Sequence, residues 1–160
     1  MRILIIVDPQ DGFVKDDFGR QVRENIIKLS NSKKFNLIIV SKFINSKDSL
    51  YSKYIGWNEM ISKKEHKVFD GLFYDEILVK RKYSFIDGKF INKIKKIKQP
   101  EIYLCGFDTD ACVFKIALDL FDYGIAPIIL KDYCYSSGGK KNHEMGLKLL
   151  KRTIGSKQVV

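Results

Sequence analysis

Short apolar runs alternate along the chain with longer segments in which apolar residues recur every three or four positions. The runs have the length of strands and are rich in branched side chains: ILIIV at 3–7, LIIV at 37–40, IYLC at 102–105 and PIIL at 127–130, with EILV at 76–79 as a shorter candidate and QVV at 158–160 as a candidate edge strand. Such runs are typical of strands that are buried on both faces of a sheet.

The segments between the runs have the period of amphipathic helices. This period predicts helices over 20–33, 89–97, 110–123 and 141–153, and we expect a short helix over 57–62 within the irregular segment 42–75. Strands that alternate with helices indicate an α/β protein. The predicted architecture is a three-layer, Rossmann-like fold, with a mostly parallel sheet and helices on both faces.

Length and composition favour one globular domain over residues 1–160, because 45% of the residues are hydrophobic and 30% are charged. No apolar run approaches the roughly 20 residues of a membrane span. The first residues, MRILIIVDPQ, are interpreted as a strand and not as a signal peptide.

The three cysteines are not spaced like zinc ligands, so we expect reduced thiols in a cytoplasmic protein.

The formal net charge of +10 raises the question of nucleic-acid binding. The lysines are scattered, however, and their denser groups lack the interleaved aromatic residues of a single-strand binding surface. No signature of a nucleic-acid-binding module is present. The sequence therefore predicts a solvated basic surface and makes a nucleic-acid partner unlikely.

Two loops follow buried strands, at the end of the sheet where ligands bind in such folds. Asp8 follows the first strand, and Cys112 follows the strand 102–105, with Thr109 as a plausible N-cap. A helix start lowers the pKa of a nearby thiol, but it does not by itself make a nucleophile. A nearby cation would favour the thiolate further. Lys80 and Lys82 are both candidates for this cation, and spacing alone does not decide between them. No Gly-rich phosphate-binding loop is present.

Three blocks of the sequence together resemble the isochorismatase-like cysteine hydrolases, a superfamily that includes nicotinamidases and related amidohydrolases. IIVDPQDGF resembles the first strand of that family with its catalytic Asp. ILVKRKYSF resembles its strand-end Lys block, and LCGFDTDACVF, with the segment that follows, resembles its Gly-x-x-Thr-x-x-Cys-Val block. The order and spacing of the blocks match over nearly the whole chain.

The resemblance implies a catalytic triad of Asp8, Lys80 and Cys112, which selects Lys80 over Lys82. In this assignment Cys112 is the nucleophile, Asp8 is the general base and then acid, and Lys80 holds the Asp8 carboxylate and favours the thiolate. The resemblance further implies an oxyanion hole made of the backbone N–H groups of Asp108 and Cys112. It also implies a cis peptide bond between Phe107 and Asp108.

The chain departs from the family pattern in two ways. Nicotinamidases carry an Asp-x-His…His metal site, but the corresponding region here contains no histidine, and His66 and His143 lack ligand spacing. We therefore expect no metal and no cofactor. Asp108 stands where the family often has a small residue, and its carboxylate either faces the pocket or points away. The resemblance also implies a homo-oligomer.

Aromatic residues near the predicted rim of the sheet are candidates for a substrate pocket: Phe13, Trp57, Tyr83 and Phe85. Cys105 is predicted to lie in the core, and Cys134 on a loop after a strand, as either an inert or a second reactive thiol. The segment 136–143 is a Gly-rich turn before a helix, and it is interpreted as an ordinary loop or a subunit contact and not as a phosphate-binding loop.

The sequence thus favours a metal-independent cysteine hydrolase that cleaves an amide-like C–N bond of a small molecule through a thioester-like intermediate. The alternative is a catalytically silent member of the same fold that acts as a binding or assembly module. Isochorismatases themselves often lack the cysteine, so Cys112 argues against that reaction. A thiol redox protein is disfavoured because no Cys-x-x-Cys motif is present.

Overall fold

The apolar runs form one five-stranded sheet in which every strand pair is parallel. The computed structural model describes residues 1–160 and has the strand order β3-β2-β1-β4-β5. The strands are β1 (Arg2–Val7), β2 (Leu37–Phe43), β3 (Glu76–Lys80), β4 (Glu101–Phe107) and β5 (Ile128–Tyr135). Helices cover both faces of the sheet, so the predicted α/β architecture is confirmed.

Four of the five helices lie where the apolar period predicts them. The helices are α1 (Asp17–Ser30), α2 (Leu50–Ile55), α3 (Gly88–Lys95), α4 (Cys112–Asp122) and α5 (Lys140–Ile154). In α1, for example, Val22, Ile26 and Leu29 form the buried stripe, and the Asp16 carboxylate caps the first turn by accepting from the Gly19 N–H at 2.7 Å. Capping and burial of one apolar face together explain why this segment is helical.

The prediction of a short helix over 57–62 is wrong, because the helix of this region is α2 (Leu50–Ile55). The Ser49 hydroxyl caps its start by accepting from the Ser52 N–H. Gly56, at φ 69°, adopts the left-handed conformation that ends helices. No residue of α2 is fully buried, and its contact with the core is made by the half-buried Tyr51.

Burial falls from the centre of the sheet to its edges. Residues 3–7 of β1 are completely buried, as predicted for a central strand. The edge strand β3, which the sequence marks only as a shorter candidate, instead exposes Ile77 and Val79. The C-terminal run is not a strand: Ser156–Gln158 forms a 3₁₀ turn, and only Val159 makes an isolated bridge, to Ile129 of β5.

The order of the strands reverses at β1, which lies between β2 and β4. The loops after β1 and β4 therefore meet at one edge of the sheet, where parallel α/β folds bind ligands. The two strands approach so closely that a Cβ on Gly106, at φ 116°, would lie 2.2 Å from the Val7 carbonyl oxygen. Only glycine fits at that position.

The cysteines outside the strand-end loops are both in the sheet. Cys105 lies in β4 and is completely buried, as predicted. Cys134 lies within β5 and not on a loop, because β5 extends five residues beyond the predicted run, and it is also completely buried. All three thiols are free. No helix of the fold combines the length and the apolar character that crossing a membrane requires.

Candidate active site

Asp8, Lys80 and Cys112 meet at the switch point of the sheet although they lie far apart in the sequence. Asp8 directly follows β1, Lys80 is the last residue of β3, and Cys112 is the first residue of α4. The Lys80 Nζ atom lies 2.6 Å from Asp8 Oδ2 and donates a hydrogen bond to Cys112 Sγ at 3.2 Å. All three residues are buried, so Lys80 bridges the other two side chains out of contact with bulk water.

The Asp8 carboxylate is fixed by a hydroxyl from the neighbouring strand. Ser41 of β2 donates its hydroxyl to Asp8 Oδ1 at 2.7 Å and accepts a hydrogen bond from the Asp8 N–H at 3.1 Å. Asp8 has φ 48°, a left-handed conformation that is uncommon outside glycine and tolerated best by Asp and Asn. This conformation and the two bonds to Ser41 orient the carboxylate towards Lys80.

Lys80 is held as a cation in a buried site. Burial alone lowers the pKa of its ammonium, but the charge of Asp8 and the hydrogen bonds to Asp8 and Cys112 outweigh burial, and the pKa is raised above its usual value. Its Nζ also lies 4.7 Å from the centre of the Phe43 ring, a favourable cation–π distance. Lys82, the other candidate, is exposed on the surface.

Cys112 begins α4 at the floor of a cavity. The helix starts later than expected: Ala111 occupies the N-cap position, and Thr109 is not a cap. The Thr109 hydroxyl is instead buried against His143 Nδ1 at 2.8 Å. Burial raises the pKa of the Cys112 thiol, and the charge of Asp8 raises it further, against the lowering effect of Lys80. In the free protein, burial therefore disfavours the thiolate form of Cys112.

Two backbone N–H groups beside Cys112 are available to an oxygen in the cavity. The Asp108 N–H donates to no protein acceptor, and the Cys112 N–H lies at the first helical position, where helices leave their N–H groups unpaired. The Asp108 carbonyl accepts from the N–H groups of Ala111 and Val113 at 3.1 and 3.0 Å, which fixes the turn. The peptide bond between Phe107 and Asp108 is cis, as the resemblance implies.

The cavity above Cys112 has a volume of about 280 Å³ and a largely aromatic wall. Three of the four aromatic candidates, Phe13, Trp57 and Tyr83, line it. Phe85 does not, and its prediction is wrong. The chain bends after β3, and Phe85 packs edge to face on Phe90 of α3, with ring centres 5.1 Å apart, as part of the core.

Sequence reasoning missed much of the remaining wall. Tyr51 reaches the cavity from α2, and its ring lies 5.0 Å from that of Tyr83 and 6.1 Å from that of Trp57. In the sequence, the signal that predicts this helix is the pair of cap residues, Ser49 before it and Gly56 after it. The turn after β5 is also part of the wall and not an ordinary loop. Other lining residues are Phe43, Ile55, Asp110, Ala111, Ser136, Ser137, Gly138 and Asn142.

Asp108 lines the cavity, which answers the question that the sequence left open. Its carboxylate accepts from the Ser137 N–H at 2.7 Å and from the Ser137 hydroxyl at 2.6 Å. Burial raises the pKa of this carboxyl to about 7, more than the bonds from Ser137 lower it, and the charges of Asp110 and Asp8 add to the rise. Asp108 is thus close to its titration point at neutral pH.

The histidines lie apart and have structural partners. His66 Nε2 lies 2.6 Å from the Met60 carbonyl oxygen, and His143 contacts Thr109. No group of three or more His, Cys, Asp or Glu side chains is placed to hold a metal ion. The residues of this chain therefore do not fit a metal site of the Asp-x-His…His kind.

One family model matches nearly the whole chain. The model of the isochorismatase domain matches residues 2–158, so the chain belongs to the isochorismatase family. No curated protein matches the chain.

Solved structures of similar fold include several amidases at low identity. A nicotinamidase/pyrazinamidase from Bacillus subtilis has a TM-score of 0.82 and 20% identity, with 99% of this chain and 98% of that chain covered. The pyrazinamidase/nicotinamidase of Streptococcus mutans has a TM-score of 0.79 and 17% identity, with both chains fully covered. The pyrazinamidase of Pyrococcus horikoshii in complex with zinc has a TM-score of 0.75 and 19% identity, with 99% of this chain and 96% of that chain covered. At these identities the likeness establishes the fold alone.

Proposed function

We propose that the protein is a cysteine hydrolase that cleaves the amide-like C–N bond of a small molecule, with Cys112 as nucleophile and Asp8 and Lys80 as its partners. The observation that carries the proposal is the position of the Lys80 ammonium, 2.6 Å from Asp8 and 3.2 Å from the Cys112 sulfur, beneath a cavity of about 280 Å³. A buried nucleophile, acid–base group and cation at the floor of a cavity is the arrangement of covalent catalysis.

The first half of the proposed reaction forms a thioester. The Cys112 sulfur attacks the carbonyl carbon while its proton passes to the Asp8 carboxylate, and the carbonyl oxygen takes up negative charge. That oxygen accepts from the N–H groups of Asp108 and Cys112, each worth about 2.7–4 kcal/mol by analogy with known oxyanion holes. Asp8 then donates the proton to the nitrogen, the C–N bond breaks, and the amine leaves.

The second half uses water alone as co-reactant. Asp8, again a carboxylate, takes a proton from a water molecule that attacks the thioester carbon. The C–S bond breaks, the sulfur recovers a proton, and the carboxylic acid leaves. The raised pKa of Cys112 supports a concerted order, because the thiol holds its proton until a substrate displaces water and Asp8 accepts it. Lys80 keeps Asp8 charged between steps.

Release of ammonia from a panel of small primary amides tests this function. The wild-type protein, Cys112→Ala and Cys134→Ala form a matched set, because both cysteines are buried but only Cys112 lines the cavity. We expect turnover by the wild type and by Cys134→Ala and none above background by Cys112→Ala. Equal rates in all three would remove Cys112 from the mechanism.

One observation favours the alternative of a silent binding module. The same burial that raises the pKa of Cys112 disfavours the thiolate, which is the nucleophilic form, in the free protein. In a binding module, a ligand would occupy the cavity without being consumed. Cys112→Ala would then leave ligand affinity unchanged, and no acyl-enzyme would form with any amide. Intact-mass analysis after acid quenching separates the two functions.

A further inference from the structure

The cavity above Cys112 is acidic although the chain is strongly basic. Asp108 and Asp110 are the only Asp, Glu, Lys or Arg residues among its 14 lining residues, whereas the chain has a net charge of +10. Lys80, the cation that contacts Cys112, lies beneath the floor and is paired with Asp8. Asp108 is close to its titration point at neutral pH, so it contributes only part of a negative charge beside Asp110. The charge that faces the cavity is still negative, which disfavours an anion and attracts a cation.

Both carboxylates retain capacity to accept further hydrogen bonds. Each Asp108 oxygen accepts one bond from Ser137, and a carboxylate offers about four acceptor positions in all. Asp110 Oδ1 accepts from the Ser136 hydroxyl at 2.6 Å, whereas Asp110 Oδ2 accepts from no protein group. The serines thus orient the carboxylates and leave acceptor positions for a ligand that donates hydrogen bonds.

The rest of the wall also suits a cation. Tyr51, Trp57 and Tyr83 form a continuous aromatic surface, with ring centres 5.0 Å apart for Tyr51–Tyr83 and 6.1 Å apart for Tyr51–Trp57. The faces of aromatic rings attract cations electrostatically. An acidic wall and an aromatic wall together form a pocket of the kind that selects positively charged organic groups.

We propose that the substrate is a small amide that carries a positive charge, such as an ammonium or pyridinium group, and that Asp108 and Asp110 determine this specificity. The inference rests on the proposed hydrolase function insofar as the ligand is a substrate. The selection of charge is a property of binding and does not depend on turnover. Amides that carry a carboxylate or a phosphate group are rejected by the same charges.

Isothermal titration of the wild-type protein with benzylamine, benzyl alcohol and benzoate measures this selection. The three probes share one aromatic ring and carry positive, zero and negative charge at neutral pH. None contains an amide, so binding is measured without turnover. We expect benzylamine to bind about tenfold more tightly than benzyl alcohol, the usual range for a charged hydrogen bond, and benzoate to bind most weakly.

Two variants assign the selection to the cavity. Asp108→Asn and Asp110→Asn should each lower the preference for benzylamine over benzyl alcohol severalfold, whereas Asp122→Asn, an exposed carboxylate at the far end of α4, should leave it unchanged. The wild-type comparison of probes needs no variant, so a variant that fails to fold does not prevent the test.

The outcomes separate this inference from the proposed function. Tighter binding of benzoate than of benzylamine, or an unchanged preference in both cavity variants, overturns the inference even where amide turnover is found. Charge selection without any amide turnover supports the inference as a property of a binding pocket and contradicts the hydrolase function alone.

Discussion

The Lys80 ammonium lies 2.6 Å from the Asp8 carboxylate, and the two side chains are only 1% and 0% exposed. A buried ion pair of this kind depends on both partners, because an unpaired charge cannot recover its hydration inside the protein. The pair is completed by the Ser41 hydroxyl on one side and by the Cys112 sulfur on the other. Stability and reactivity are therefore coupled at this point of the sheet.

Replacement of Lys80 by Met should destabilise the fold by about 3–5 kcal/mol at neutral pH, because it leaves Asp8 buried without its cation. Urea unfolding followed by circular dichroism measures the free energy of unfolding. Lys82→Met is the matched control, since Lys82 is exposed and should change stability by no more than about 0.5 kcal/mol. Similar small effects of both substitutions would show that the ion pair contributes little.

Replacement of Gly106 by Ala should destabilise the fold by several kcal/mol or prevent folding. Its added Cβ would lie 2.2 Å from the Val7 carbonyl oxygen, and neither backbone can move within the central sheet. Gly124→Ala is the control, because Gly124 also has a positive φ, of 80°, but nothing within 4 Å of the added Cβ. That substitution should cost about 1–2 kcal/mol. Equal losses would mean that backbone conformation and not the contact determines the effect.

The strands and the site residues were accessible to sequence reasoning for different reasons. Buried strands such as Ile3–Val7 are recognised by their continuous apolar runs. All five strands can therefore be predicted from the sequence. Asp8, Lys80 and Cys112 were assigned through the family resemblance, because their spacing along the chain does not show that β1, β3 and α4 converge. Only the tertiary structure brings Lys80 within hydrogen-bonding distance of Cys112.

The cavity wall was harder to predict because loops and caps build it. The helix α2 has no buried residue, so the apolar pattern carried no sign of it, and Tyr51 was missed with it. Phe85 was assigned to the pocket because aromatic residues of the core and of a pocket look alike in a sequence. The raised pKa of Cys112 was also beyond sequence reasoning, since it results from burial.

Asp108 should make stability depend on pH between about 4 and 7. Burial raises its pKa from 3.8 to about 7, so in this range the folded protein holds a proton that the unfolded chain has released. Stability therefore falls as pH rises through the range, and the loss is complete above about pH 7. The charged or titratable groups that influence this carboxyl are Asp110 and Asp8, with Cys112 and Lys80 beside them.

The measurement is the free energy of unfolding at about pH 5 and about pH 8 for the wild type and for Asp108→Asn, which cannot ionise. Each unit of a pKa shift corresponds to about 1.4 kcal/mol, reduced where the group keeps some contact with solvent. The wild type should lose stability relative to Asp108→Asn at the higher pH, whereas Asp122→Asn should follow the wild type. A parallel pH dependence of wild type and Asp108→Asn would contradict the raised pKa.

Cys112 should react with iodoacetamide more slowly at pH 7 than an exposed cysteine does, because the thiolate is the reactive form and burial raises the pKa of the thiol. Cys105 and Cys134 should react more slowly still, since both are completely buried in the sheet away from the cavity. Peptide mass spectrometry gives each rate separately. Fast alkylation of Cys112 at pH 6–7 would show that Lys80 and the helix start overcome burial.

The most direct test of the central claim is detection of a covalent intermediate on Cys112. The wild-type protein is incubated with a panel of small amides that includes cationic members, quenched in acid, and digested for peptide mass spectrometry, with ammonia release measured in parallel. We predict ammonia release together with an acyl group on the peptide that contains Cys112, and the loss of both in Cys112→Ala but not in Cys134→Ala. Ammonia release that persists in Cys112→Ala, or an acyl group on another residue, would contradict a reaction at Cys112.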